Sequence, residues 1–176
     1  MDDGNVDYED LTTMRLDDAE VAALLAAGGE CVFNWTTHEG YPVGVVVAFV
    51  HRDGTFFTTC AERRKRVPAL RARPQSGIVI NSRGKTDSFK GTSIVHAHGD
   101  DGFDELKTWF YRALSRLDAD PDDPYRQSFA TFLDSPHRVI IETRADLVVA
   151  FDTAKFHAFT AEGMAAAQRA RESERS

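Results

Sequence analysis

Arg63, Arg64, Lys65 and Arg66 are four consecutive cations in a chain of 176 residues whose formal net charge is −7. Pro68 stands two positions further on. Proline is tolerated only in the first turn of a helix, so the spacing predicts a short helix that begins near Arg66 or Val67 and runs to about Arg73, closed by Pro74. A helix N-terminus carries partial positive charge and unpaired N–H groups, and each cation placed there costs about 0.3 kcal/mol. A bound anion resolves the conflict, because it accepts hydrogen bonds from those N–H groups and pairs with the side-chain charges. Thr58 and Thr59, at the end of the preceding strand, add hydroxyl donors nearby. The competing reading is a solvated basic patch offset by surface carboxylates, of which Glu62 is the nearest in sequence.

Other residue patterns support less chemistry. His96 and His98 are two apart on an expected strand, so both would point to one face, and with Asp100 they could begin a metal site. The run resembles the HxHxDH of metallo-β-lactamase-like hydrolases but has Asp101 where the last histidine is needed, and only His137 and His157 remain downstream. Solvated or interface histidines are the plainer reading. Arg83-Gly84-Lys85-Thr86 is not a phosphate loop, since Val79 occupies the position that would need glycine. There is no GxSxG, and Cys31 and Cys60 have neither CxxC nor zinc spacing, so buried free thiols are expected. Trp35, and Trp109, Phe110 and Tyr111 of a later helix, read as core or interface aromatics.

The elements that must carry the cations can be traced along the chain. Residues 1–15 form an acidic arm. Asp17 with Glu20 reads as a capping box before Val21, Leu24 and Leu25, and Gly28-Gly29 stop that helix. Strands are expected at about 30–37, 42–51 and 55–60, the last two joined at the hairpin signal Asp53-Gly54. The valine-rich second strand reads as buried on both faces. After the short helix come strands at 76–82 and 91–99, with the polar stretch between them read as a loop. Phe103, Leu106, Phe110, Ala113, Leu114 and Leu117 mark the clearest helix. A further short helix contains Tyr125, Phe129, Phe132 and Leu133, and HRVIIET and DLVVAFD look like a final pair of strands. The domain spans 16–158 and ends in a charged tail, 159–176. The expectation is a mainly β (α+β) fold: a split barrel of six to seven antiparallel strands with helices packed outside.

Bulk properties narrow the function classes. Length and a hydrophobic fraction of 42% suit one domain with its own core. The negative net charge argues against general affinity for nucleic acid or anionic membrane. No apolar run is long enough to span a bilayer, and the N-terminus is acidic, so a cytoplasmic protein is the default expectation.

The order of elements and the run TFFTTCAERRKRVPALRARPQSGIVI resemble the pyridoxamine 5′-phosphate oxidase-like family, the FMN-binding split β-barrels. Phe56, Phe57, Thr58, Thr59, Arg64, Lys65, Leu70 and Pro74 fit the family's order of strand, basic segment, leucine-bearing helix and proline. The resemblance covers about residues 16–152. It departs where the family has serine, here Arg63 or Glu62, and the substrate-binding arginine and histidine of true pyridoxamine phosphate oxidases are not evident. The resemblance implies a phosphate-bearing flavin, with FMN first, the deazaflavin F420 second, and haem a lesser alternative on a non-catalytic binding protein. It implies that Arg64, Lys65 and Arg66 hold the phosphate and that Thr58 and Thr59 lie against the ribityl chain or ring edge. Val45, Val46 and Val47 would line the ring, and Lys90 would add a further contact. It also implies a homodimer with the cofactor groove at the subunit interface, acting as an oxidoreductase on a small-molecule substrate.

Overall fold

A computed structural model describes residues 11–173. Six antiparallel strands close into a barrel, in the spatial order β1 (Gly29–Thr36), β2 (Pro42–Arg52), β3 (Thr55–Ala61), β6 (Arg138–Asp152), β5 (Lys85–His96) and β4 (Gln75–Ser82). Closure comes from pairing of β1 with β4, in register from Val32↔Val79 to Trp35↔Ser76. Residues 1–10 of the expected acidic arm and 174–176 of the expected tail lie outside the described residues.

Alternation along the strands divides the side chains between two cores. Cys31, Phe33, Phe49, Phe56, Cys60, Ile78, Ile80 and Phe89 fill the barrel interior. The alternate positions Phe57 and Ile140 face outward beneath α3 (Phe103–Ser115) and form a second cluster with Phe110, Tyr111 and Leu133. Leu133 belongs to α4 (Pro124–Leu133). The first helix, α1 (Asp18–Ala27), has the expected capping box from Asp17 and Glu20, and its Val21, Leu24 and Leu25 pack against the barrel core. A fifth helix, α5 (Thr153–Ser173), continues directly from β6, and Glu20 ties α1 to it, since Lys85 and Lys155 each approach a Glu20 carboxylate oxygen to 2.7 Å. The cation-bearing helix α2 is Arg66–Ala72, and its Val67 and Leu70 are both 1% exposed as part of the barrel core.

Three sequence expectations change. The polar stretch 83–90 is a hairpin and the first half of β5, not a loop. Arg83 and Gly84 adopt positive φ, 52° and 82°, at the turn, and Lys85–Lys90 pair with both β4 and β6. Its alternation is real but disguised, because one inward residue, Asp87, is a carboxylate at 0% exposure and the other is Phe89. The two final strands are one, β6, bent by a bulge opposite Ser88/Phe89, so the barrel has six strands. The valine strand is buried on one face only: Val46 is 59% exposed on the outer wall beside Val32.

Candidate functional site

The cationic turn sits where β3 leaves the barrel and α2 begins. The Arg64 N–H donates to the Ala61 carbonyl at 3.0 Å, and the Val67 N–H donates to the Arg64 carbonyl at 2.9 Å, so the turn winds directly into the helix. The Glu62 N–H donates to the His137 carbonyl at 2.8 Å and fixes the turn to the start of β6. Lys65 already has helical torsions and makes no side-chain cap, leaving the first turn of α2 without the carboxylate or hydroxyl that helices usually place there.

Three clefts follow this turn in series. Trp35, Arg63, Arg64, Lys65 and Arg66 line one of about 420 Å³. Trp35 and Lys65 also border a second, of about 500 Å³, whose floor is Pro68, Ala69 and Ala72 and whose rim carries His38, Glu39 and Arg73. Arg63 borders a third, of about 520 Å³, with Glu62, His137 and Arg138. The clefts thus adjoin one another around the turn, as a trench between the end of β1 and the start of β6 in which Trp35 and Lys65 border the first two and Arg63 the first and third.

Charge balance within the trench bears on the two readings of the basic run. Glu62 is engaged by Arg71 at 3.5 Å. Among the described residues, no carboxylate reaches ion-pair distance of Arg63, Arg64, Lys65 or Arg66. Glu39 feels the charge of Lys65, but the chief causes holding its carboxyl below the ordinary range are a backbone N–H of its own residue and the Thr37 hydroxyl. Arg73 donates to the Thr36 carbonyl at 3.4 Å, while its Nε is buried with no hydrogen-bond partner among the described residues. Burial pushes the Cys60 thiol up, against the pull of the Arg66 guanidinium. The patch is therefore not neutralised by carboxylates of the described residues, which leaves its cations free to pair with an anion.

Arg64, Lys65 and Arg66 line one cleft together, and none of the other expected site residues lines it. Thr58 is 2% exposed, on the inward side of β3 with Phe56 and Cys60. The Thr59 hydroxyl donates to the Val139 carbonyl at 2.7 Å across the β3–β6 pair. Val45 and Val47 pack partly buried against the barrel core, whereas Val46 lies on the outer wall. Lys90 is exposed at mid-strand on that wall, opposite Gly77 and Asp146, rather than at a strand start. His96 and His98 do not share a strand face: β5 ends at His96, which meets Glu142 at 2.9 Å, and His98 lies edge-on to Phe103 in the following turn. Among the described residues, no group of three or more His, Cys, Asp or Glu could hold a metal ion. Trp35 and Arg73 line the trench although the sequence does not mark them for the site, and Arg63 joins the three cations expected to hold an anion. The signal for Trp35 and Arg73 is weak in the sequence, because only β1 and the far end of α2 bring them to the cations.

Comparison with solved structures places the barrel among known folds. No family model and no curated protein matches the sequence. A conserved hypothetical protein of Mycobacterium tuberculosis superposes with a TM-score of 0.64 at 13% identity, over 82% of this chain and 90% of that one. A protein of Listeria innocua described as a pyridoxamine 5′-phosphate oxidase gives 0.51 at 17% identity, over 74% and 95%. The haem storage protein HutZ of Vibrio cholerae gives 0.55 at 12% identity, over 80% and 99%. An F420 reductase and a FAD-binding protein of Mesorhizobium loti share the architecture at 0.51 and 0.52. The fold is the pyridoxamine 5′-phosphate oxidase-like split barrel.

Proposed function

We propose that this chain is a flavin-type cofactor protein, an oxidoreductase that holds the cofactor phosphate at the cationic turn. The observation that carries the reading is the set of four cations, unpaired among the described residues, opening onto one cleft with Trp35. The fold adds support, since proteins that share it are described as a FAD-binding protein and an F420 reductase. Arg64, Lys65 and Arg66 would hold the phosphate, and Trp35 would offer an aromatic face beside it. FMN is the first candidate, with F420 the alternative. A bound cofactor of this kind supplies hydride or electron transfer. The chain's part is to fix the anionic end by charge and to offer the apolar floor of Pro68, Ala69 and Ala72 next to it.

The reading includes a homodimer. Val32, Val46, Ile94, Val148 and Val149 are exposed on the outer wall at 37–59%, and an unpartnered apolar sheet face of this kind suits burial against a second copy. A non-catalytic haem-binding role is the second reading, favoured by the likeness to the haem storage protein.

Mass spectrometry of the small molecule released when the purified protein is denatured tests all of these. A flavin or deazaflavin supports the proposal, and haem supports the second reading. If none co-purifies, calorimetric titration with FMN, F420 and haem decides, and binding of none of them overturns both readings. Sedimentation or light scattering tests the dimer, and a monomer at micromolar concentration removes that part.

A further inference from the structure

Another cleft, of about 530 Å³, opens at the start of β1, the opposite end of that strand from Trp35 and the cations. Its volume is that of a small-molecule site. The last turns of α1 and α3 and the end of β2 wall it. Leu25, Ala48, Val50 and Leu114 give it apolar surface, and its side-chain polar groups belong to Glu30, His51 and Arg116. Burial pushes the His51 imidazole below its ordinary range, against the pull of Asp53, so the ring is neutral at neutral pH. The full charges of the cleft are therefore Glu30 and Arg116.

Arg116 has an uncommon backbone. It ends α3 with φ 55° and ψ 31°, the left-handed conformation that helix ends usually give to glycine. An arginine held there carries strain, which points to a task for its side chain. The guanidinium donates to the Ala27 carbonyl at 3.1 Å and so bridges the ends of the two helices. Its Nη2 lies 4.0 Å from where a Cβ on Gly28 would stand. The other N–H donors are left over, because no carboxylate reaches ion-pair distance of Arg116 among the described residues. Glu30 makes no ion pair either, so two opposite charges line one cleft without pairing with each other. The C-terminus of α1, just ahead of Glu30 in the chain, adds partial negative charge on that side.

We propose that this cleft binds a zwitterionic small molecule with an apolar body, of the class of the aliphatic and aromatic α-amino acids. The carboxylate pairs with the free N–H groups of Arg116, and the ammonium pairs with Glu30 and the end of α1. The side chain lies on Leu25 and Leu114. The site is separate from the cationic turn, and neither reading depends on the other.

The test is calorimetric titration of the full chain with L-leucine and L-phenylalanine. Whichever binds is then compared with its N-acetyl derivative, which lacks the ammonium, and its amide, which lacks the carboxylate. The free amino acid binds at least about tenfold more tightly than either derivative, the worth of one charge-assisted contact. Arg116→Gly and Glu30→Gln each weaken it about tenfold. Far-UV circular dichroism matching the wild type shows that the variants are folded, and if Arg116→Gly fails that check, Glu30→Gln alone carries the test. No binding of either amino acid at millimolar concentration overturns the proposal. So does an N-acetyl derivative that binds as tightly as the free amino acid, or an undiminished affinity in Glu30→Gln.

Discussion

Replacing both Arg64 and Lys65 by alanine should move ligand affinity and ligand-free stability in opposite directions. Both side chains are solvent-exposed, so each phosphate contact is counted at the low end for a charge-assisted hydrogen bond, about 1.5 kcal/mol. Losing two costs about 3 kcal/mol, or about 100-fold in FMN affinity. Without ligand the same two charges sit beside Arg63 and Arg66, at the positive end of α2, with no carboxylate in ion-pair reach among the described residues. Removing them relieves about 0.3 kcal/mol each, so the ligand-free variant should melt about 1–2 °C higher than wild type. Calorimetric titration gives the first quantity and thermal unfolding of ligand-free protein the second. Raising the salt concentration should narrow both differences, since the charges are exposed. Unchanged FMN affinity would refute the anion-site argument. A melting point several degrees lower would show instead that the two side chains serve the fold.

Two further perturbations probe groups that hold the barrel. Asp87 is fully buried with neither carboxylate oxygen hydrogen-bonded among the described residues, and burial raises its titration point against the pull of Lys85. The raised folded value means that this stabilisation is intact below the unfolded value of about 4 and is lost as pH rises through the folded one. Wild-type stability relative to Asp87→Asn should therefore fall by up to about 1.4 kcal/mol per pH unit across that interval, and parallel urea midpoints over the same range would contradict it. Glu20 titrates the other way: hydrogen bonds from Lys155 and then Lys85 pull its carboxyl down to about 2. Its contribution is present above the ordinary carboxylate value and lost as pH falls toward 2, so Glu20→Gln should flatten the acid limb of the melting curve. An acid limb as steep as that of the wild type would dismiss the Lys85–Glu20–Lys155 link.

Where local chemistry decides structure, the sequence is legible. Asp53-Gly54 turns with φ of 51° and 75°, as a tight hairpin requires, and Asp17 and Glu20 cap α1 reciprocally. Pro68 places the start of α2 to within a residue, and the cations with it. Legibility fails where a partner strand decides. Lys85–Lys90 looks like a loop because Asp87 breaks the apolar alternation, yet β4 and β6 on either side satisfy its backbone. Arg144-Ala145 looks like a gap between two strands, yet pairing with β5 carries β6 straight through it. Val46 looks buried because its neighbours are valines, but a closed barrel has only one inside. For the site, the cations were visible as a run of charge, whereas Trp35 and Arg138 reach the trench only through closure of the barrel.

The helix that carries the cations also seals the barrel, through Val67 and Leu70. Any guest gripped by its first turn therefore holds the seal shut, and because an opened barrel has no such turn, the guest has no grip on the unfolded chain. Saturation at about 100 times the dissociation constant should add about 2.7 kcal/mol to the unfolding free energy. The protein's own melting temperature then becomes a screen for its unknown ligand, readable before any reaction has been identified.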